Sequence, residues 1–186
     1  MGQDKALMPF LGRTLLERVM KRVSSLGDDL FITTNHPRKY QAYGVPLFRD
    51  VISGKGALGG LLTALSSAQN PILVVVACDM PFVNRDLLAL ALDRLQSSRV
   101  DVVIPHSKKG YEPFHAVYRL ETCLPAVKTA LDSGERRLIS WFPAVNVSPI
   151  NEDVLLEYDP RQVAFWNVNT TEDFQNAEKL AIEFDS

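Results

Sequence analysis

The chain has 186 residues, of which 46% are hydrophobic, with 20 Lys+Arg against 22 Asp+Glu for a formal charge of −2; its mean hydropathy is −0.02. That length and composition fit one domain with a sizeable core, and the near-neutral balance excludes a global positive field for nucleic acid or an anionic membrane. The longest apolar run, residues 72–78, falls far short of the ~18–20 residues of a membrane span. Two cysteines and three scattered histidines exclude a disulfide framework and a zinc cage, so the expected setting is the cytoplasm.

In chain order, residues 14–26 place Leu15, Leu16, Val19, Met20, Val23 and Leu26 at the period of an amphipathic helix, stopped by Gly27. Residues 30–34 read as a buried strand broken by Asn35-His36-Pro37, and residues 45–48 as a short strand ending at Arg49-Asp50. A glycine-containing loop leads to a helix over about 58–69. Residues 72–77 are uninterrupted and β-branched, as in a strand covered on both faces. Asn84 or Asp86 caps a helix to about Ser97, and residues 100–104 form the next strand. Beyond Pro105 come a polar tip (106–112), a strand (114–118) and a helix (about 122–133). Residues 141–158 read as irregular with short strands. The last helix spans about 171–184, with Thr170 or Thr171 able to cap it. This alternation predicts a three-layer α/β/α fold around a mostly parallel, Rossmann-like sheet. In such a sheet, ligands sit at the carboxyl ends of the strands.

Five stretches are candidates to carry chemistry. Asp79, just beyond the most apolar strand, is placed to hold a divalent metal against a phosphate, although Asp79 and Pro81 are also turn formers. Cys78 reads as a buried spacer. Lys5, in Gly2-Gln3-Asp4-Lys5, can neutralise phosphate charge; Gly-x-x-Lys is common, and a solvated tail is the plain alternative. Arg49-Asp50 precedes Gly54, Gly56, Gly59 and Gly60 at a helix start, where small residues admit a flat ligand; neither Gly-x-Gly-x-x-Gly nor the Walker pattern is present. Arg136 and Arg137 can grip a phosphate, or simply be surface charge. Asn167 and Asn169 offer amides, or a turn.

Taken in order, residues 1–7, 32–35, 48–50, 56–61, 74–83, 112–119, 133–138 and 166–174 resemble the molybdenum cofactor guanylyltransferases, members of the MobA-like nucleotidyltransferase family. The resemblance spans nearly the whole chain. It implies transfer of GMP from Mg·GTP to molybdopterin, releasing pyrophosphate. Lys5 then resembles the lysine on the nucleotide phosphates, Asp50 the acid of the guanosine pocket, and Gly59 and Gly60 the small residues against the nucleotide. Asp79 resembles the Mg²⁺ aspartate. Arg136, Arg137, Asn167 and Asn169 fall on the molybdopterin side. Some relatives place a guanosine-contacting Asn where this chain has Thr33. Residues 1–105 are expected to serve the nucleotide and 106–186 the acceptor, with molybdoenzymes or their chaperones downstream.

Two alternatives accompany this reading. One is a cytidylyl- or sugar-phosphate nucleotidyltransferase; the other is a non-catalytic nucleotide- or pterin-binding relative. Family members carry a strand and a Leu-Ala-Gly-Gly-x-x-x-Arg loop before the Met-Gly-x-x-Lys motif. In-frame sequence upstream of Met1 is expected to encode them.

Overall fold

The computed structural model describes residues 4–185. An antiparallel ribbon of β1 (Pro9–Phe10) and β2 (Arg13–Thr14) leads into α1 (Leu15–Val23). Thr14 starts that helix with a reciprocal cap: its hydroxyl accepts the Glu17 N–H at 3.2 Å, and the Glu17 carboxylate accepts the Thr14 N–H at 2.6 Å. β3 (Ile32–Thr33) and β4 (Leu47–Phe48) form a short parallel pair. There follow α2 (Gly56–Ser67), β5 (Ile72–Val76), α3 (Arg85–Ser97), β6 (Val102–Ser107), β7 (Gly110–Tyr111) and β8 (His115–Arg119). The chain ends with α4 (Leu120–Asp132), β9 (Val147–Ile150), α5 (Glu152–Tyr158) and α6 (Thr171–Asp185).

The main sheet is mixed. β5, β6 and β9 run the same way, and β8 runs against them between β5 and β6. Strand alternation delivers the layers. Val102, Ile104, Ala116 and Tyr118 face α2 and α4, whereas Val103 and Val117 face α3 and α5. Three expectations change. The polar tip is a hairpin, with His106 opposite Tyr111 and Ser107 opposite Gly110. Residues 141–158 include the helix α5, too short to show a helical period. The strands expected over 30–34 and 45–48 pair at only two positions each.

The fourth difference is the largest. β3–β4 and the main sheet are not hydrogen-bonded to one another. Between them lies a cavity of about 570 Å³, walled by residues 31–33 and 72–77 and roofed by α1 and α2. Ala77 donates to the Phe114 carbonyl, and Leu120 to that of Pro71; the peptide groups of Ile72, Val74 and Val76 therefore point away from β8, into the cavity. Ile32 and Thr34 bond toward β4, which turns Phe31 and Thr33 to the same space. This open edge is why Ile72, Val74, Val75 and Val76 are only half-buried, despite helices over both faces. α1 bridges the gap: Leu16 and Met20 pack on Ile32 and Leu47, Val19 and Val23 on Val74 and Val76.

Candidate active site

The carboxyl ends of β4 and β5 hold Asp50 and Asp79, two of the residues that sequence singles out. Asp79 lies just past β5, half-buried. Its carbonyl accepts the Val168 N–H at 2.9 Å, which ties the 165–169 segment to the turn after β5. Burial pushes the Asp79 carboxyl above its ordinary value of 3.8, with Lys5 opposing that shift. A desolvated carboxylate of this kind gains from a cation. Lys5 Nζ donates to Asn169 Oδ1 at 3.2 Å. The fold thus brings together Lys5, Asp79 and Asn169, remote in sequence, at one crest. Asn167 is half-buried in the same segment. Gly2 of the Gly-x-x-Lys motif lies outside the described residues.

Asp50 sits at the end of β4, where it meets Asn35 from the end of β3. Asn35 Nδ2 donates to Asp50 Oδ2 at 2.7 Å, and the Asp50 N–H donates to Asn35 Oδ1 at 3.2 Å. The role of Asn35 was missed from sequence. Its signal was position, since each residue lies two positions past the end of a strand and the two strands pair in parallel. Thr33 faces the cavity between the sheets, not this pair. Gly60 borders the same cavity, and a Cβ there would touch nothing. Gly59 differs: a Cβ would lie 2.7 Å from Lys55 Cβ, so its smallness serves the packing of its own loop.

Arg136 and Arg137 are exposed on the loop after α4, and no hydrogen bond or ion pair among the described residues anchors their side chains. Cys78 is exposed, which corrects the buried spacer. Surrounding protein and the Asp79 charge push its thiol up to about 11, so it is no nucleophile near neutral pH. Among the described residues, no group of three or more His, Cys, Asp or Glu side chains could form a metal cage. A cation carried by triphosphate needs only one or two protein carboxylates, and Asp79 meets that requirement. Among the described residues, no helix is long and apolar enough to cross a membrane.

A second cluster lies beneath the crest. His115 is fully buried; its Nε2 accepts the N–H of Asn84 at 3.1 Å, and its Nδ1 has no partner. Burial lowers its pKa to about 4, so the ring is neutral.

The family described as the MobA-like NTP transferase domain matches residues 1–147. The chain belongs to that family. It is 33% identical over 177 residues to a molybdenum cofactor guanylyltransferase of Desulfosudis oleivorans, covering 95% of this chain and 87% of that one. A second, from Shewanella pealeana, is 31% identical over 177 residues, with 94% and 84% covered. The crystal structure of molybdopterin-guanine dinucleotide biosynthesis protein A from Archaeoglobus fulgidus superposes with a TM-score of 0.82 at 23% identity, over 98% of this chain and 92% of that one. A 2-C-methyl-D-erythritol 4-phosphate cytidylyltransferase from Thermus thermophilus gives 0.72 at 18% identity, covering 96% and 94%. These two likenesses concern the fold. Family membership makes the protein a nucleotidyltransferase.

Proposed function

We propose that the protein transfers GMP from GTP to the phosphate of molybdopterin, in the cytoplasm, forming the guanine dinucleotide cofactor for molybdoenzymes or their chaperones. The observation that carries the reading is the junction of Lys5, Asp79 and Asn169 at the end of β5. In transfers of this type the protein positions the groups in line and neutralises charge, with little covalent chemistry of its own. Mg²⁺ on Asp79, when bound, neutralises charge on the triphosphate. Lys5 stabilises the departing pyrophosphate, and Asn169 fixes the direction of the Lys5 ammonium. Asp50, held by Asn35, accepts from the N–H edge of guanine, with Gly59 and Gly60 alongside the nucleotide. Arg136 and Arg137 orient the acceptor phosphate, with Asn167 beside it. Residues 1–105 serve the nucleotide, and 106–186 the acceptor.

Two measurements test this. With Mg²⁺, molybdopterin and each nucleoside triphosphate in turn, pyrophosphate release should be supported by GTP and not CTP. Release with CTP alone would favour a cytidylyltransferase; none with any nucleotide would favour a binding module. Lys5→Ala should weaken GTP binding and turnover, whereas Arg136→Ala should mainly raise KM for molybdopterin. An Arg136→Ala effect confined to GTP would remove that arginine from the acceptor side.

A further inference from the structure

A cavity of about 330 Å³ lies beside the crest, between the β6–β7 hairpin, α5 and residues 159–166. The proposed site leaves it unused. Its wall includes Glu112, Lys109, Gln162, Phe165 and Trp166. Its volume is at the small end for ligand sites and suits one compact planar group. Trp166 precedes Asn169 by three residues, at most about 10 Å of extended chain. The cavity is therefore within one small molecule's length of the Lys5–Asn169 contact.

The wall is built, not incidental. The Asp159 carboxylate accepts the buried Ala164 N–H at 2.7 Å, and the Gln162 N–H donates to the Asp159 carbonyl at 2.9 Å. Gln162 is held at φ 54°, a left-handed conformation that a residue with a side chain rarely adopts. Phe82 stacks on Trp166 at 6.0 Å, and His115 meets Phe165 edge-on at 5.1 Å. On the hairpin side, the Ser107 hydroxyl donates to Glu112 Oε1 at 2.7 Å. No hydrogen bond among the described residues engages Glu112 Oε2. Burial raises the Glu112 pKa, with Ser107 and Lys109 opposing that shift.

A half-buried carboxylate with one free oxygen, in a cavity with aromatic walls, suits a flat heterocycle presenting adjacent N–H donors; Lys109 and Gln162 can meet its ring acceptors. We propose that this cavity receives the fused amino-oxo ring of the acceptor, a pterin, with Glu112 reading its N–H edge. This rests on the acceptor being molybdopterin. It separates ring recognition here from phosphate recognition at Arg136 and Arg137.

The test is calorimetric titration of the full chain with 6-hydroxymethylpterin, which carries the ring but no phosphate. Wild type should bind it, and saturating GTP should not displace it. Glu112→Gln, nearly isosteric, should weaken pterin binding about 10- to 100-fold, the cost of removing a charged partner. GTP affinity, the control for folding, should not change. Gln162→Gly relieves the left-handed strain and should weaken pterin binding several-fold without loss of stability. The proposal is overturned if wild type does not bind the free pterin, if Glu112→Gln binds it equally well, or if GTP displaces it. Pyrophosphate release with GTP and molybdopterin is read separately; if it persists while pterin titration fails, this pocket is wrong and the guanylyltransferase reading stands.

Discussion

Asp79 is held in a form that its surroundings disfavour. A carboxyl raised above its ordinary value binds more protons folded than unfolded, so as pH rises through that interval its ionisation reduces stability. Asp79→Asn should therefore leave the metal-free melting temperature unchanged or slightly higher, while lowering transfer at least ~100-fold, the scale of losing a key electrostatic group. Thermal melts and single-turnover assays on one preparation check both halves; retained turnover would remove the metal assignment. His115 has the opposite sign. With a folded value near 4 against an ordinary 6.5, the folded chain holds fewer protons than the unfolded one. Its contribution is intact above about pH 6.5 and is lost as pH falls toward 4, at ~3 kcal/mol in full. Urea midpoints between pH 7 and pH 4 should fall, and His115→Gln should flatten that fall.

At the scale of elements, two of the three glycines of α2, Gly59 and Gly60, separate packing from ligand approach. Gly60→Ala adds a methyl to open space and should stabilise the chain by roughly 0.5–1 kcal/mol, the ordinary helix preference. If GTP lies against that position, affinity for it should drop. Gly59→Ala drives a Cβ into Lys55 and should destabilise by about 1–3 kcal/mol. Denaturant titration with GTP binding distinguishes the two. The same contrast shows what was legible in the chain. The helices α1, α2, α3, α4 and α6 were readable because periodic apolar positions and caps such as Asn84, whose side chain accepts the Leu87 N–H at 2.9 Å, are local signals. Strand β5 was readable from its uninterrupted apolar run. Helix α5 and the hairpin at 106–111 were not, because their segments are too short to complete a pattern. The site divides likewise. Asp79 was visible from its place after β5, but the Asn35–Asp50 and Lys5–Asn169 pairings are tertiary events between segments that share no local signal.

For the whole molecule, the direction of each peptide group along β5 makes a test at single-residue resolution. Amides of Leu73 and Val75 bond to β8; those of Ile72, Val74 and Val76 face the cavity. Hydrogen exchange should therefore alternate, slow at 73 and 75 and fast at 72, 74 and 76, with Thr33 fast and Ile32 slow across the gap. Uniform protection along β5 would mean that something closes this edge in solution. In the 186-residue chain, an open row of donors and acceptors also invites strand addition from another chain, so the apparent mass from light scattering should rise above that of a monomer as protein concentration increases.

In the 186-residue chain, the gap divides the proposed nucleotide site as well as the sheet. Asn35 and Asp50 ride on β3–β4, whereas Asp79 rides on the main sheet, and no backbone hydrogen bond joins the two. Helices α1 and α2 span them through side-chain packing and a few side-chain hydrogen bonds, among them Arg18 Nε to the Pro81 carbonyl and the Val51 N–H to Thr63 Oγ1, each 3.0 Å, contacts that tolerate small sliding. A guanine held at Asp50 and a triphosphate held at Asp79 would then act as a strut, so the nucleotide itself sets the spacing between the halves. GTP should stiffen this protein more than either guanosine or triphosphate alone, and more than the two fragments added together.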